Sequence, residues 1–510
     1  MVKNKTTKSG DHSDAIKSTV YVLSDRYVPK VTKPWEVRGT VGTSSGSGFC
    51  IEYKGYKMII TNVHVIADSN RVRIRYGTTE FIVAKILYMA YECDLALLTV
   101  DSASSGQSAA DVATWWAGIK PILADMTFMP NKADQAYVYG YPLGESLSFN
   151  VSVSKGIVSR ISMSDYMNMY RGIVVQIDAS ANRGNSGGPV VTETGQLIGV
   201  LFSGMDNGLE FVIPIFTVKF FLESYMCNLI NQGATTTELI TLDFPGIATV
   251  GVIYNDTQNK AMRQFCNMPD DMGGIFVDHK KIAYDTDLID NDVIIGMDGV
   301  KISKYGTVQF SAFLHNNNFR ETNWYDEQIP IGTYVSTKFV GNDIDCVVWR
   351  GEKTHKLKVP LVAHLSSAPY HLQKRQYVIL LGMIFLPLSI RLITEKQKND
   401  ENVDDLLFAS DNIDVISADH QLVCLSDVTD RSFVYETASS NKIVDTINGI
   451  KVLNIIHLHD LVEHFVNKKI FIVIKFYSFH RTTIINPFDI IEYDDIIRTT
   501  RIGDVPKALL

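Results

Sequence analysis

The apolar residues of this chain come in short runs, and the spacing between the runs changes along its length. From about residue 34 to 225 they form β-branched stretches cut by Gly, Ser, Asn and Asp turns, the pattern of an all-β architecture. Val72-Arg73-Ile74-Arg75-Tyr76 alternates with the period of two that a half-buried strand requires, and so does Val151-Ser152-Val153-Ser154. Phe216 to Tyr225 then reads as a helix closing this region. Residues 226–238, with Asn, Gln, Gly233 and a threonine run, read as a linker, and residues 1–33 as a flexible tail. Beyond the linker, strand and turn patterns recur in two blocks, 239–375 and 376–510, and the second carries an amphipathic helix from His457 to Val466. The longest apolar run, Tyr377 to Ile390, falls short of the ~20 residues that span a bilayer. It also contains Gly382 and Pro387, so a buried strand and turn is expected there and no membrane span.

Three polar positions interrupt the β-rich region in a chemically specific way. His64 ends an apolar strand (Lys57 to Ile60) within Thr61-Asn62-Val63-His64-Val65, and Asp94 precedes another in Asp94-Leu95-Ala96-Leu97-Leu98. Ser186 sits among glycines in Gly184-Asn185-Ser186-Gly187-Gly188-Pro189. A serine hydroxyl is a poor nucleophile unless a neutral imidazole takes its proton, and the imidazole needs a buried carboxylate to fix its tautomer. His64, Asp94 and Ser186 supply those groups. Around Asn185, the backbone N–H groups of Gly184 and Ser186 are candidate donors to the oxyanion of a tetrahedral intermediate. The chain order His, Asp, Ser is the one found on the double β-barrel, whereas the other two common orders belong to α/β folds.

With these residues stand Ser45-Gly46-Ser47-Gly48-Phe49, Tyr139-Gly140-Tyr141-Pro142, Gly156-Ile157-Val158-Ser159-Arg160 and Gln176-Ile177-Asp178-Ala179. In that order they resemble the landmarks of the HtrA/Deg serine proteases. Trp115-Trp116-Ala117-Gly118 and the long C-terminal half resemble the eukaryotic Deg branch best known from plants. The resemblance implies a mostly β fold, a chymotrypsin-like double β-barrel protease domain over 34–225 followed by two PDZ-like α+β domains. It implies an ATP-independent serine endopeptidase acting on unfolded or damaged polypeptides, assembled as a trimer-based homo-oligomer. A non-proteolytic scaffold or holdase on the same fold is the rival reading. Asn185 stands where digestive relatives carry Asp, so activation by a new N-terminal amine is not implied. Leu288 to Gly299 resembles a PDZ landmark, with Thr249-Val250-Gly251-Val252 as the nearest binding loop. In the second unit Gly382, Met383, Ile384 and Phe385 resemble the carboxylate-binding loop, and the plant relatives imply an internal ligand for it.

In this protease fold the pocket beside the nucleophile sets specificity, and its floor lies six positions earlier, at Ser180. No acid stands there, and Phe202, Ser203, Gly204, Leu209 and Phe211 would form the walls, so a small or medium apolar P1 side chain is expected. Glu210 either points outward or enters the pocket mouth.

At 510 residues the chain should divide into about three domains. Its net charge of −8 argues against a nucleic-acid partner, which would require clustered Lys and Arg. Six widely spaced cysteines fit free thiols in a reducing compartment, so a cytoplasmic location is expected. The polar N-terminus lacks the apolar core of a secretory signal. His457, His459 and His464 lie near Glu463 on the amphipathic helix, which reads as a packed helix and not a zinc site. No cofactor or metal is expected, and ATP independence follows from the missing Walker loop.

Overall fold

The structure is a computed structural model describing residues 12–490, apart from 29, 37–38, 143–149, 167–169, 205–208, 234–238, 281–285, 325, 367, 370–375, 414, 416, 418, 429–439 and 478–481. It divides into two compact units. The larger comprises 1–27, 41–280 and 285–364; the smaller gathers 28–40 and 365–510 with a short internal piece.

Two closed six-stranded barrels form the first part of the larger unit. The strands of one are β1 (Thr19–Val28), β2 (Thr40–Tyr53), β3 (Tyr56–Thr61), β4 (Ser69–Arg75), β5 (Ile82–Ala90) and β6 (Leu95–Thr99). Those of the other are β7 (Gln135–Gly140), β8 (Ser152–Tyr166), β9 (Tyr170–Ile177), β10 (Pro189–Thr192), β11 (Leu197–Gly204) and β12 (Glu210–Pro214). The period of two explains why β2 and β3 are apolar on both faces. Cys50 and Ile59 enter the core of the first barrel with Val20, Val22 and Ile74. Phe49, Ile51, Met58 and Ile60 turn the other way, into a core shared with the second barrel.

Two sequence expectations are corrected here. Residues 12–28 are not tail: His12–Ser18 is a helix and β1 pairs with β4, Val22 opposite Ile74. The reason is burial, since Ser18 to Val22 are all at most 3% exposed. The closing helix runs from Ile215 to Asn231, past the expected start of the linker, because Met226 and Leu229 continue its buried face. Residues 234–238 of that linker lie outside the described residues.

The chain then returns along the first barrel, with Leu242 N–H donating to Leu87 O at 2.8 Å. It builds an antiparallel sheet from Val252–Asp256, Ile275–Lys280, Val293–Met297, Asp343–Arg350 and Lys353–Pro360, accompanied by helices Phe310–Asn316 and Ile331–Ser336. This PDZ-like region shares the core of the barrels. Trp324, 1% exposed, donates its indole N–H to Pro130 O at 2.6 Å, and Phe313 meets Phe216 edge-on at 5.2 Å. Lys132 pairs with Glu327 at 2.6 Å.

The smaller unit has its own cores. Its sheet runs in the order Val378–Leu380, Met383–Pro387, Val423–Val428, Lys442–Ile447, Ile472–Phe476, Thr482–Ile485. Helix Ile455–Asn467 covers it with Leu458, Leu461 and Val462 buried. The long apolar run is thus a hairpin, turning at Leu381 (φ 47°) and Gly382 (φ 77°), the two positive dihedrals of a type I′ turn. Trp35 packs edge-on against Tyr377 at 5.6 Å in this unit.

Candidate active site

His64 lies on the single helical turn Val63–Ile66 that follows β3, and Asp94 follows the turn Tyr91–Cys93 that precedes β6. Asp94 adopts φ 51°, a left-handed conformation that Asp tolerates better than most residues. Its carboxylate is 1% exposed and grips His64 at two points. Oδ1 accepts the His64 backbone N–H at 2.9 Å and Oδ2 meets the ring Nδ1 at 2.6 Å. An ionised carboxylate can only accept, so Nδ1 carries the hydrogen, and in the neutral ring Nε2 presents its lone pair. The main chain is locked as well: Asp94 O accepts from Asn62 Nδ2 at 2.9 Å and from Val63 N–H at 3.2 Å. Arg26 hydrogen-bonds His64 O from β1.

Ser186 arrives on the turn before β10. Its carbonyl accepts the Ser47 N–H at 2.8 Å, and a methyl on the adjacent Gly46 would lie 3.1 Å from that carbonyl and 2.6 Å from Val65. Strand β2 therefore runs between the serine turn and the histidine turn with no room for a side chain at Gly46. Ser186 Oγ donates to Phe202 O at 3.5 Å, and among the described residues it makes no hydrogen bond to His64. Catalytic hydrogen bonds are often long without substrate and tighten in the complex.

The residues before the serine form a defined turn. Asn185 N–H donates to Asn182 O at 3.1 Å, and Gly184 holds φ 103° at the third position, the mark of a type II turn that glycine alone adopts without strain. Since the Asn185 N–H is engaged, the Gly184 and Ser186 N–H groups remain as the donors of this segment. Gly187, at φ 88°, lies so close to β2 that a methyl would come within 2.0 Å of Ser47 O. Asn185 is buried, and Gly140 leaves the space for its side chain: a methyl there would lie 2.6 Å from Asn185 Oδ1.

Sequence reasoning used the Ser45–Phe49 stretch only as a landmark and missed the part Ser47 plays. Its Oγ donates to Gly184 O at 2.7 Å and accepts the Tyr141 N–H at 2.9 Å. Of the expected pocket residues, Ser180 is exposed and Leu209 half-buried, while Phe202 and Phe211 are buried with ring centroids 6.5 Å apart. Ser203 pairs with Phe211 and Gly204 with Glu210. Glu210 points inward and is 5% exposed. Burial pushes its carboxyl up to about 7, partly offset by a hydrogen bond from the Ala181 backbone.

In the smaller unit Met383, Ile384 and Phe385 are buried, and their strand is paired on both edges, by Val378–Leu380 and by Val423–Val428. In the larger unit Val250 and Val252 of the expected first loop are buried, and Gly251 holds φ 70°. His457 donates its backbone N–H to Asn454 Oδ1, the cap of its helix, at 2.9 Å, and its ring accepts the Leu453 N–H at 3.2 Å.

Two family models match this chain: a trypsin-like peptidase domain over residues 46–200 and a PDZ domain over 368–492. Protease Do-like 2, chloroplastic, of Arabidopsis thaliana is 29% identical over 88% of this chain and 68% of its own length. A serine protease DegP homolog of Plasmodium falciparum is 34% identical over 43% of this chain and 22% of its own length. Among solved structures, the HtrA-type protease AlgW with decapeptide aligns with 70% of this chain and 99% of its own, at 18% identity and a TM-score of 0.45. The double barrel and its matching domain define a trypsin-like serine endopeptidase. The chain joins that peptidase to a PDZ domain, and its homologues are the plant Do-like (Deg) proteases and the DegP/HtrA proteases.

Proposed function

We propose that His64, Asp94 and Ser186 are the catalytic triad of this endopeptidase, and that its substrates are unfolded or damaged polypeptides. The observation that carries the assignment is the two-point grip of buried Asp94 on His64, beside a serine turn with Gly184 in the left-handed region. In this reading Ser186 Oγ turns from Phe202 O to His64 Nε2 and gives up its proton as it attacks the scissile carbonyl. Asp94 stabilises the resulting imidazolium, which then protonates the leaving amine; water repeats the sequence to release the acyl group. The Gly184 and Ser186 N–H groups receive the oxyanion, each worth roughly 3 kcal/mol of barrier.

The PDZ-like units choose substrate or support assembly into a trimer-based homo-oligomer. The hairpin strand Val378–Leu380, lying where a peptide would add to Met383–Pro387, supports an internal ligand for the second unit. Domain limits of 34–225, 239–375 and 376–510 remain our division, amended by the strand and helix bounds above. Six unpaired cysteines support a cytoplasmic location, although named relatives are chloroplastic and mitochondrial. No helix among the described residues is long and apolar enough to cross a membrane. An active-site-directed fluorophosphonate tests the triad: labelling confined to Ser186, together with casein cleavage, is expected. Casein cleavage that persists in Ser186→Ala would refute it, and an unlabelled, inactive protein would return the scaffold reading.

A further inference from the structure

The carboxyl of Glu210 joins the two segments between which a P1 side chain would enter. On one side lies Gly204, and a methyl there would come within 2.2 Å of Oε2 and 2.5 Å of Oε1, so the carboxyl fills the space over the Gly204 α-carbon. On the other side the Ala181 N–H, next to Ser180, donates to it. Gly204 lies two residues beyond Phe202, whose carbonyl holds Ser186 Oγ, a rise of roughly 6.6 Å along a strand. That is about the reach of the four-carbon stem of a lysine.

No cation among the described residues pairs with this buried acid. On neighbouring β9 and the loop after it, Ile177 is apolar, Gln176 Oε1 accepts from Arg160 Nε of β8 at 2.7 Å, and Asp178 Oδ1 accepts the Ile157 N–H at 2.6 Å. Arg183 is exposed, and β11 contributes only Ser203 and Gly204 at this level. A buried carboxylate without a counter-ion is costly, and a ligand cation would relieve that cost.

We propose that Glu210 is the specificity-determining group of the P1 pocket, selecting a basic side chain, lysine or arginine, when ionised and an uncharged one of medium length when protonated. The inference rests on the triad reading. It limits the apolar preference expected from Ser180 to the protonated pocket. Because burial raises the carboxyl to about 7, the change falls near neutral pH.

The test uses the full-length protein and two peptides identical except for lysine or norleucine at P1. The ratio of their kcat/KM values cancels the titration of the triad base, which both substrates share. The ratio should rise at least tenfold between pH 6 and 8.5 and stay flat in Glu210→Gln, with Ser186 still labelled by fluorophosphonate to show an assembled site. Inhibition of the native protein by benzamidine should strengthen over the same range, which keeps the test open if the variant fails to fold. A flat native ratio with both peptides cleaved would overturn the role of Glu210 and leave the triad standing. Cleavage of neither peptide with Ser186 unlabelled would bring down the triad reading itself.

Discussion

The two PDZ-like units of this chain solve the same packing problem in opposite ways. The first, over 239–364, keeps only a small cluster around Met268, Phe276 and Val293 to itself, while its main core is that of the protease: Trp324, Phe313 and Val308 belong to the apolar cluster that holds Phe202, Val212 and Leu97. The second has apolar clusters of its own, built around Phe385, Leu425 and Leu458 and around Leu392, Leu406 and Cys424. A domain that shares a core cannot move without exposing it, whereas one with its own core can fold and act as a unit. The first unit is therefore part of the catalytic body, and the second is a module.

The sharpest break of this comparison is chemical. Ser186→Ala should cut cleavage of both casein and a short peptide by on the order of a millionfold. Circular dichroism should show both units still folded, and a surviving rate would place the chemistry elsewhere. Next comes the shared core. Trp324→Ala removes a buried ring and its bond to Pro130 O, at a cost of about 3–5 kcal/mol. Differential scanning calorimetry should show the larger unit melting earlier, with the ceiling for peptide cleavage lowered along with it. If only the PDZ-like sheet melted, the shared-core account would fail.

Leu458→Ala, in the helix of the module, should cost about 2–5 kcal/mol but only within the smaller unit. Peptide kcat/KM should stay within about twofold, because sites that share no packing partners act independently. A large fall in peptide rate would mean that the two units are energetically one.

The smallest effect is one of sign. In the module Lys396 Nζ, buried, donates to Glu401 at 2.8 Å. Partial burial raises the Glu401 carboxyl, but hydrogen bonds from Lys396 and Asn441 outweigh it and leave it lowered. Its contribution is present above the ordinary value of 4.5 and is lost as pH falls through the folded value. Glu210 is raised, so its contribution is complete below 4.5 and is lost as pH rises through about 7. Melting temperatures taken at pH 3.5, 5.5 and 8.5 should therefore show an acid-side fall of the module that Glu401→Gln reduces, and an alkaline-side fall of the catalytic body that Glu210→Gln reduces. Variants whose profiles match those of the native protein would contradict it.

Much of the catalytic body was legible because its signals are local. His64, Asp94 and the glycine turn each mark the end or start of an apolar strand, and chain order alone selects the double barrel. What escaped depends on distant partners. Strand β1 looked like tail because its alternation is short and its partner β4 lies some fifty residues on, Val22 opposite Ile74. The direction of Glu210 could not be read from β12, whose residues are buried on both faces, so alternation does not separate inside from outside. The closing helix outran its expected end because no glycine follows until Gly233. The fusion of the first PDZ-like unit to the barrels depends on Trp324, an aromatic whose partner lies 194 residues away.

The hydroxyl of Ser47 has a thermal consequence. It stands on a strand of the first barrel but holds Gly184 O and the Tyr141 N–H of the second. The turn that presents the Gly184 N–H is thus fastened from across the seam between barrels by the Ser47 hydroxyl, beside the Ser47 N–H that holds Ser186 O. A slight loosening of that seam frees the Gly184 turn before either barrel loses a strand. On heating, loss of turnover should therefore precede loss of secondary structure, with the working ceiling of the enzyme set by the fit between its barrels, below the melting point of the body they share.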